Sequence, residues 1–423
     1  MKNKIELIIP CKVITPMFSN GAQANFAQIR RTQILAGMRD WFRLFNLNDW
    51  QKVENDESKL FSNESKLFGN TQKAASFQFD LEDEKSILKS NFFNTYKPDV
   101  KFDRNGYSGA EYGIAYLFYT KNLGANKNAS FIEPESSFNI NISAFCSSQE
   151  EISQCLITPL MCLYALSVFG AVGSRQTRGA GNFSINLADV TVEVGLNSLL
   201  GKKNTETFDL FLKRCSCNEL KAIKKLYFTT NETLEGYISR LIPVLKELIS
   251  INNDKELPFK SGLFTLSEDT TDHASRPRWF QLLNEAGKLY ATYRHNIGLE
   301  SQAAFGLPLL KLKIIKSENY EPFSTKITNE NAEAKLSRGK VKIEEAFVRR
   351  KSQLIFTICE FDKKIYLIVY KLEGAYLPED CILINYNYNN QDKPEYINEI
   401  TVKADAITEF MQTHLIQINI AQK

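Results

Sequence analysis

The sequence predicts an α+β fold in two domains, and three observations point to it. Strand-like and helix-like stretches follow one another in β-α-β…β-α-β order over the first two hundred residues. The chain has 423 residues, enough for two or three domains at roughly 150 residues each. A short polar stretch, GKKN at 201–204, reads as a linker before a second run of helices and strands.

The first strand covers 5–13 and is broken by Thr15-Pro16, since proline removes a backbone donor. Asn20-Gly21 signals a turn. A helix over 28–45 follows, because Ile34, Met38, Trp41 and Phe45 recur at helical spacing. Trp41 therefore belongs to a core face and is not a platform for stacking bases. Residues 49–65 are polar and read as a loop, 75–81 as a strand, 90–108 as an irregular insertion, and 114–119 and 136–144 as strands. A charge-free stretch, 152–174, reads as a helix. Phe183, Ile185 and Leu187 then alternate as one face of a strand. With long insertions allowed, this order fits a ferredoxin-like unit ending near Gly201. Beyond it, helices are expected at 205–227, 233–251, 279–294 and 404–414, and strands at 263–266, 310–315, 354–360 and 365–372, which make a second α+β domain.

Composition narrows the function classes. Hydrophobic content of 43% and charged content of 24% are ordinary for a globular protein. The net charge of +3 says little by itself, but the basic residues are bunched. Residues 29–45 hold four Arg against one Asp, and 335–351 hold seven basic residues against two acidic. Such clusters suit a localised anionic ligand or simply a solvated face. The eight Cys form no CxxC pair and lie far from the three His, which argues against a zinc site and for a reducing cytoplasm. The stretch 152–174 is long enough to span a bilayer, but its Ser, Gln, Thr, Pro and Gly residues favour a buried helix. No metal, cofactor or membrane association is expected.

The strongest local signal is FGAVGSRQTRGAGNF at 169–183, in which Gly170, Gly173, Gly179 and Gly181 surround Arg175 and Arg178. Glycines let backbone N–H groups approach an anion, and arginine adds forked donors for phosphate oxygens. The stretch is neither a Walker loop nor a GxGxxG fingerprint, so nucleotide hydrolysis gains no support. It reads equally as a flexible turn with two solvated arginines. The second signal is Arg39 and Arg43, four apart on a helix flank and open either to an anionic ligand or to water.

The run ILAGMRDWFR at 34–43 resembles the first-helix motif of Cmr-type proteins of the RAMP superfamily, with Arg39, Trp41, Phe42 and Arg43 matching and Leu35 and Ala36 departing. ITPMF at 14–18 with Gly21-Ala22, and LFG at 67–69 after Lys66, are similar to flanking motifs of the same family. The glycine-rich loop resembles the RAMP loop at Gly173, Arg175, Arg178, Gly179 and Gly181, while Gln176 and Thr177 depart from it and remove a basic residue. FGLP at 305–308 and RRKS at 349–352 resemble later segments, with Gln353 where proline is common. The order of these motifs is more specific than any one of them.

The resemblance implies two tandem ferredoxin-like (RRM-like) domains with insertions, residues 1–201 carrying the Gly-rich loop and 205–423 forming the second. It implies the first RAMP subunit of a type III-B CRISPR effector ribonucleoprotein. Such a subunit contacts guide RNA and target RNA near the guide 3′ end, beside other RAMP subunits, and cuts neither. Arg39, Arg43, Gly173, Arg175, Arg178, Gly179 and Gly181 are then the RNA-binding candidates, and no residue is catalytic. The alternative is a RAMP-superfamily endoribonuclease that processes guide RNA, with His273 in DHASRPR as base. The poverty in His argues against it, and the Gly/Arg loop argues against a purely architectural subunit.

Overall fold

The structure, a computed structural model, describes residues 2–20, 26–46, 53–103, 106–122, 129–195, 203–215, 222–227, 232–250, 259, 261–266, 275–305, 312–316, 353–372, 381–388, 394–400, 403 and 405–419. Gly21-Ala22, His273, Gly306 to Pro308, the basic cluster at 335–351 and Ser352 lie outside the described residues.

The fold is α+β. The first sheet is antiparallel, with Asn3–Val13 at its centre. Ser137–Cys146 and then Gln78–Lys85 lie on one side, and Thr191–Gly195 and then Lys203–Thr207 on the other. Phe183–Ile185 pairs with the end of the central strand. Residues 203–207, expected as linker and helix start, thus add an edge strand, whose polar KNTET sequence suits exposure on one side. Thr207 then caps the helix Phe208–Arg214 by accepting the Leu210 N–H.

Two expected elements change type. Residues 49–65 were expected as a loop, yet Val53–Phe68 is a helix. Its buried stripe is Leu60, Glu64, Leu67 and Phe68, and the charged Glu64 hides the helical period. Residues 114–119 were expected as a strand, yet Tyr112–Phe118 is a helix. A short apolar run buried on several sides has no periodicity to separate the two. The helix crosses Arg278–Asn296 at Gly113 and Gly287, where a Cβ on Gly113 would lie 1.9 Å from the Asn284 carbonyl oxygen. Asn284 closes the crossing, donating to the Ala110 carbonyl and accepting the Ile114 N–H, each at 3.1 Å.

The charge-free stretch lies as far as Phe169 in the helix Gln149–Phe169, long and apolar enough to cross a membrane, and its last residues, 170–174, enter the glycine-rich loop. Its residues from Pro159 to Phe169 are buried against the helices Arg31–Asn46 and Leu234–Ile249. Tyr164 and Tyr237 share a hydroxyl–hydroxyl bond of 2.7 Å there, and Thr158 donates to the Leu248 carbonyl. A π-helical turn, Ser153–Ile157, precedes Pro159.

The second sheet runs Leu354–Phe361, Lys364–Lys371, Leu263–Thr265, Ile416–Ile418, all antiparallel, with Arg278–Asn296 and Asp405–His414 packed on it. A three-stranded sheet, Leu312–Lys316, Cys381–Tyr388 and Pro394–Ile400, accompanies it. Numbering the strands of each main βαββαβ path one to four, both sheets have the order fourth, first, third, second.

Candidate nucleic-acid interface

The first helix buries Ile34, Met38, Trp41 and Phe45, with the Trp41 ring against Phe169 and Phe259, so the core role expected for Trp41 holds. On its flank, Arg39 and Arg43 meet Glu64, which is only 3% exposed. Arg43 forks onto that carboxylate through Nε at 2.7 Å and Nη2 at 2.8 Å, and Arg39 reaches it through Nη1 at 3.2 Å. The hydrogen bond to Glu64 raises the Arg43 pKa. Arg39 Nη2 also donates to the carbonyls of Phe68 and Gly69, each at 2.8 Å. Carbonyls in the last turn of a helix have no partner within it, so Arg39 caps the helix Val53–Phe68. Gly69 takes φ +75° just beyond, where a Cβ would sit 2.7 Å from the Ala75 nitrogen. The Arg motif and the LFG motif are one structural device. Both arginines are engaged by protein, and each stays about a third exposed.

The glycine-rich loop is stitched to the turn after the first strand. Thr15 is fully buried, and its Oγ1 accepts the Asn182 N–H at 2.9 Å. Ile14 N–H donates to the Asn182 carbonyl, Gly181 N–H to that of Pro16, and Ser174 N–H to that of Phe18. The motif at 14–18 and the loop at 169–183 are therefore a single unit. Gly173, Gly179 and Gly181 have φ near +97°, +79° and +80°. A Cβ would meet the Phe18 carbonyl at 2.8 Å, Leu283 Cδ2 at 2.3 Å and the Val172 carbonyl at 1.9 Å respectively. Close packing within the protein explains these three glycines.

Arg178 is also buried. Its guanidinium donates to the Leu354 carbonyl at 3.2 Å, the Tyr290 hydroxyl at 2.8 Å and the Phe305 carbonyl at 3.0 Å, and lies 4.7 Å from the Tyr290 ring centre. Burial lowers its pKa from the ordinary arginine value. Phe356 N–H donates to the Thr177 carbonyl, Asn182 Nδ2 to Thr357 Oγ1, and Ser184 together with Lys12 to Glu360. Residues 177–184 thus run along the strand Leu354–Phe361, the outer strand of the second sheet. The loop joins the two halves, and Arg178 is its bolt, not a phosphate contact. Phe305, part of a resembling motif, is one of the acceptors.

Arg175, three residues before Arg178, is not fully enclosed. It is half-buried, has φ +64°, and its guanidinium lies 4.9 Å from the Tyr119 ring centre. Beside it is Lys121, which sequence reasoning missed. A lone lysine after an apolar run carries no signal of its own. Lys121 Nζ lies 4.6 Å from the centre of the Phe18 ring, and Phe18 pairs with Ser174. Burial, with the Arg175 charge adding, pushes the Lys121 pKa down to about 8. Ser174 is exposed, as is Arg30 just before the first helix. The face around 174–177 can hold an anion. Among the described residues, no group of three or more His, Cys, Asp or Glu could hold a metal ion.

The comparisons with known proteins agree with this segment's boundaries. The model of the RAMP superfamily matches residues 10–184, from within the first strand to Phe183–Ile185. The matched segment contains the 14–18 turn, the Arg39/Arg43 helix and the whole Gly/Arg loop. No curated protein matches the chain in sequence. Among solved structures it is similar to the apo form of Cmr1 from Pyrococcus furiosus, with 17% identity, 97% of each chain covered and a TM-score of 0.49. It is also similar to a chain in type III-B Cmr-beta bound to cognate target RNA, with 13% identity, 97% of this chain and 99% of that chain covered, and a TM-score of 0.48.

Proposed function

We propose that the chain is a non-catalytic RNA-binding subunit of a type III-B CRISPR effector ribonucleoprotein, working in the cytoplasm beside other RAMP subunits. It holds guide RNA and target RNA near the guide 3′ end, and each main sheet is the core of a ferredoxin-like domain. The RAMP match over 10–184 is the observation that carries the reading. It is supported by Arg175, a loop arginine that is only half-buried, and by the shared strand order of the two sheets. Backbone contacts of this kind position a strand without reading its bases.

The test is direct binding of labelled single-stranded RNA by purified protein, followed over a salt series. Binding that weakens with salt at similar affinity for unrelated sequences is expected, because counterion release dominates phosphate recognition. No measurable binding at low salt would remove the reading.

A further inference from the structure

We propose that Lys121 and Arg175 together form a subsite for one phosphate group of an RNA backbone. The proposal rests on the RNA-binding reading above and gives it a place. The first observation is the setting of Lys121, which is 6% exposed overall. Among the described residues it has neither a carboxylate in ion-pair range nor a hydrogen-bond acceptor, and its one cation contact is the Phe18 ring. Among the described residues, Lys121 Nζ is not one of the side-chain atoms that are both fully buried and unbonded, so its ammonium end reaches solvent. The stem is packed and the charge is presented, as a snorkelling lysine does.

The second observation is the neighbour. The Arg175 guanidinium lies 4.9 Å from the ring centre of Tyr119, two residues before Lys121 in the same turn, so two cations share one face. They arrive from different elements, Lys121 from the turn Tyr119–Asn122 and Arg175 from the glycine-rich loop. Phe18 lies between, under the ammonium by its ring and bonded to Ser174 N–H by its carbonyl at 3.0 Å. The third observation is strain. Arg175 has a left-handed backbone that residues with a Cβ rarely adopt, held by Arg178 and Ala180 N–H groups donating to its carbonyl at 2.8 and 3.3 Å. Strain of this sort gathers where a side chain must be aimed. A phosphodiester carries one negative charge and two free oxygens. It fits between a point ammonium and a forked guanidinium, and low-dielectric walls strengthen the attraction.

The experiment compares wild type with Lys121→Met, Lys121→Gln, Arg175→Ala and the Lys121→Met/Arg175→Ala double variant, using the exposed Lys73→Met as control. RNA affinity is followed over salt by fluorescence anisotropy, and thermal midpoints are taken with and without inorganic phosphate. Each single variant should weaken binding and lower the slope of log K against log salt by about 0.7. The double variant should lower it by no more than a single, since both cations serve one phosphate. Without ligand, Lys121→Met should melt at or above the wild-type midpoint, because an unpaired, mostly buried charge is gone. It should also lose any midpoint rise given by phosphate, and Lys73→Met should match wild type throughout. A lower midpoint with an unchanged slope would make Lys121 a mere prop for Phe18 and overturn the subsite. If RNA binds and Lys121→Met and Lys121→Gln behave as wild type, the subsite falls and the RNA reading stands. If RNA does not bind but phosphate raises the midpoint only when Lys121 is present, the anion site stands and its assignment to RNA falls.

Discussion

Arg39 and Arg43 on the first helix and Arg175 with Lys121 beside the loop are two groups of cations in the segment that the family model matches, and they have different surroundings. The first group faces a buried carboxylate and two helix-end carbonyls within 3.2 Å. The second lies against aromatic rings, Lys121 over Phe18 and Arg175 over Tyr119. The surroundings of a motif arginine are thus set by what the fold brings to it. Arg178 makes the same point within three residues of Arg175, since one turn of chain separates a buried bolt from a half-buried arginine.

Four substitutions and one incubation would break or sharpen that contrast. Trp41→Ala, on the core face of the Arg39/Arg43 helix, should cost about 3–5 kcal/mol in urea unfolding. A normal unfolding midpoint with lost RNA affinity would make Trp41 a stacking platform after all. Arg178→Ala should cost on the order of 3 kcal/mol, because buried acceptors from Leu354 and Phe305 and the Tyr290 hydroxyl lose their donor at about 1–3 kcal/mol each. Calorimetry that still shows the wild-type transition would remove it as a bolt. Glu64→Ala should cost about 2 kcal/mol, less than a fully buried pair, because both guanidiniums are a third exposed and can rehydrate. RNA affinity should not fall with it, and a loss beyond the stability effect would return Arg39 and Arg43 to the RNA surface. Arg175→Gly should shift stability by less than about 1 kcal/mol, relieving the left-handed backbone, while weakening RNA binding at all sequences. Finally, labelled guide-like RNA should stay intact with excess protein, with or without divalent metal. Defined products that vanish in His273→Ala would promote the endoribonuclease.

Sequence reasoning reached the long, strongly periodic elements. The first helix, the buried helix Gln149–Phe169 and the strands around them were legible because their apolar spacing is regular. The helix Val53–Phe68 was not, because its inward stripe contains Glu64, a residue that only makes sense once Arg39 and Arg43 are opposite it. The helix Tyr112–Phe118 was lost to the ambiguity of short apolar runs, although Gly113 marks the close crossing. In the loop, the sequence pattern does not tell which of the two arginines is buried. That depends on a strand about 180 residues away, Leu354–Phe361, and no local pattern carries it. The repeated strand order is similarly invisible in residue identities, since topology survives where individual side chains differ.

The stitching of the glycine-rich loop has a consequence for handling the protein. Exposed loop tips are where proteases nick and where insertions are tolerated. This loop has two arginines, the residue type trypsin requires, yet its carbonyls and N–H groups are bonded on both sides and three glycines leave no room for a Cβ. Native protein should resist tryptic cleavage after Arg175 and Arg178, and an added residue between 172 and 181 should be rejected as a core insertion would be.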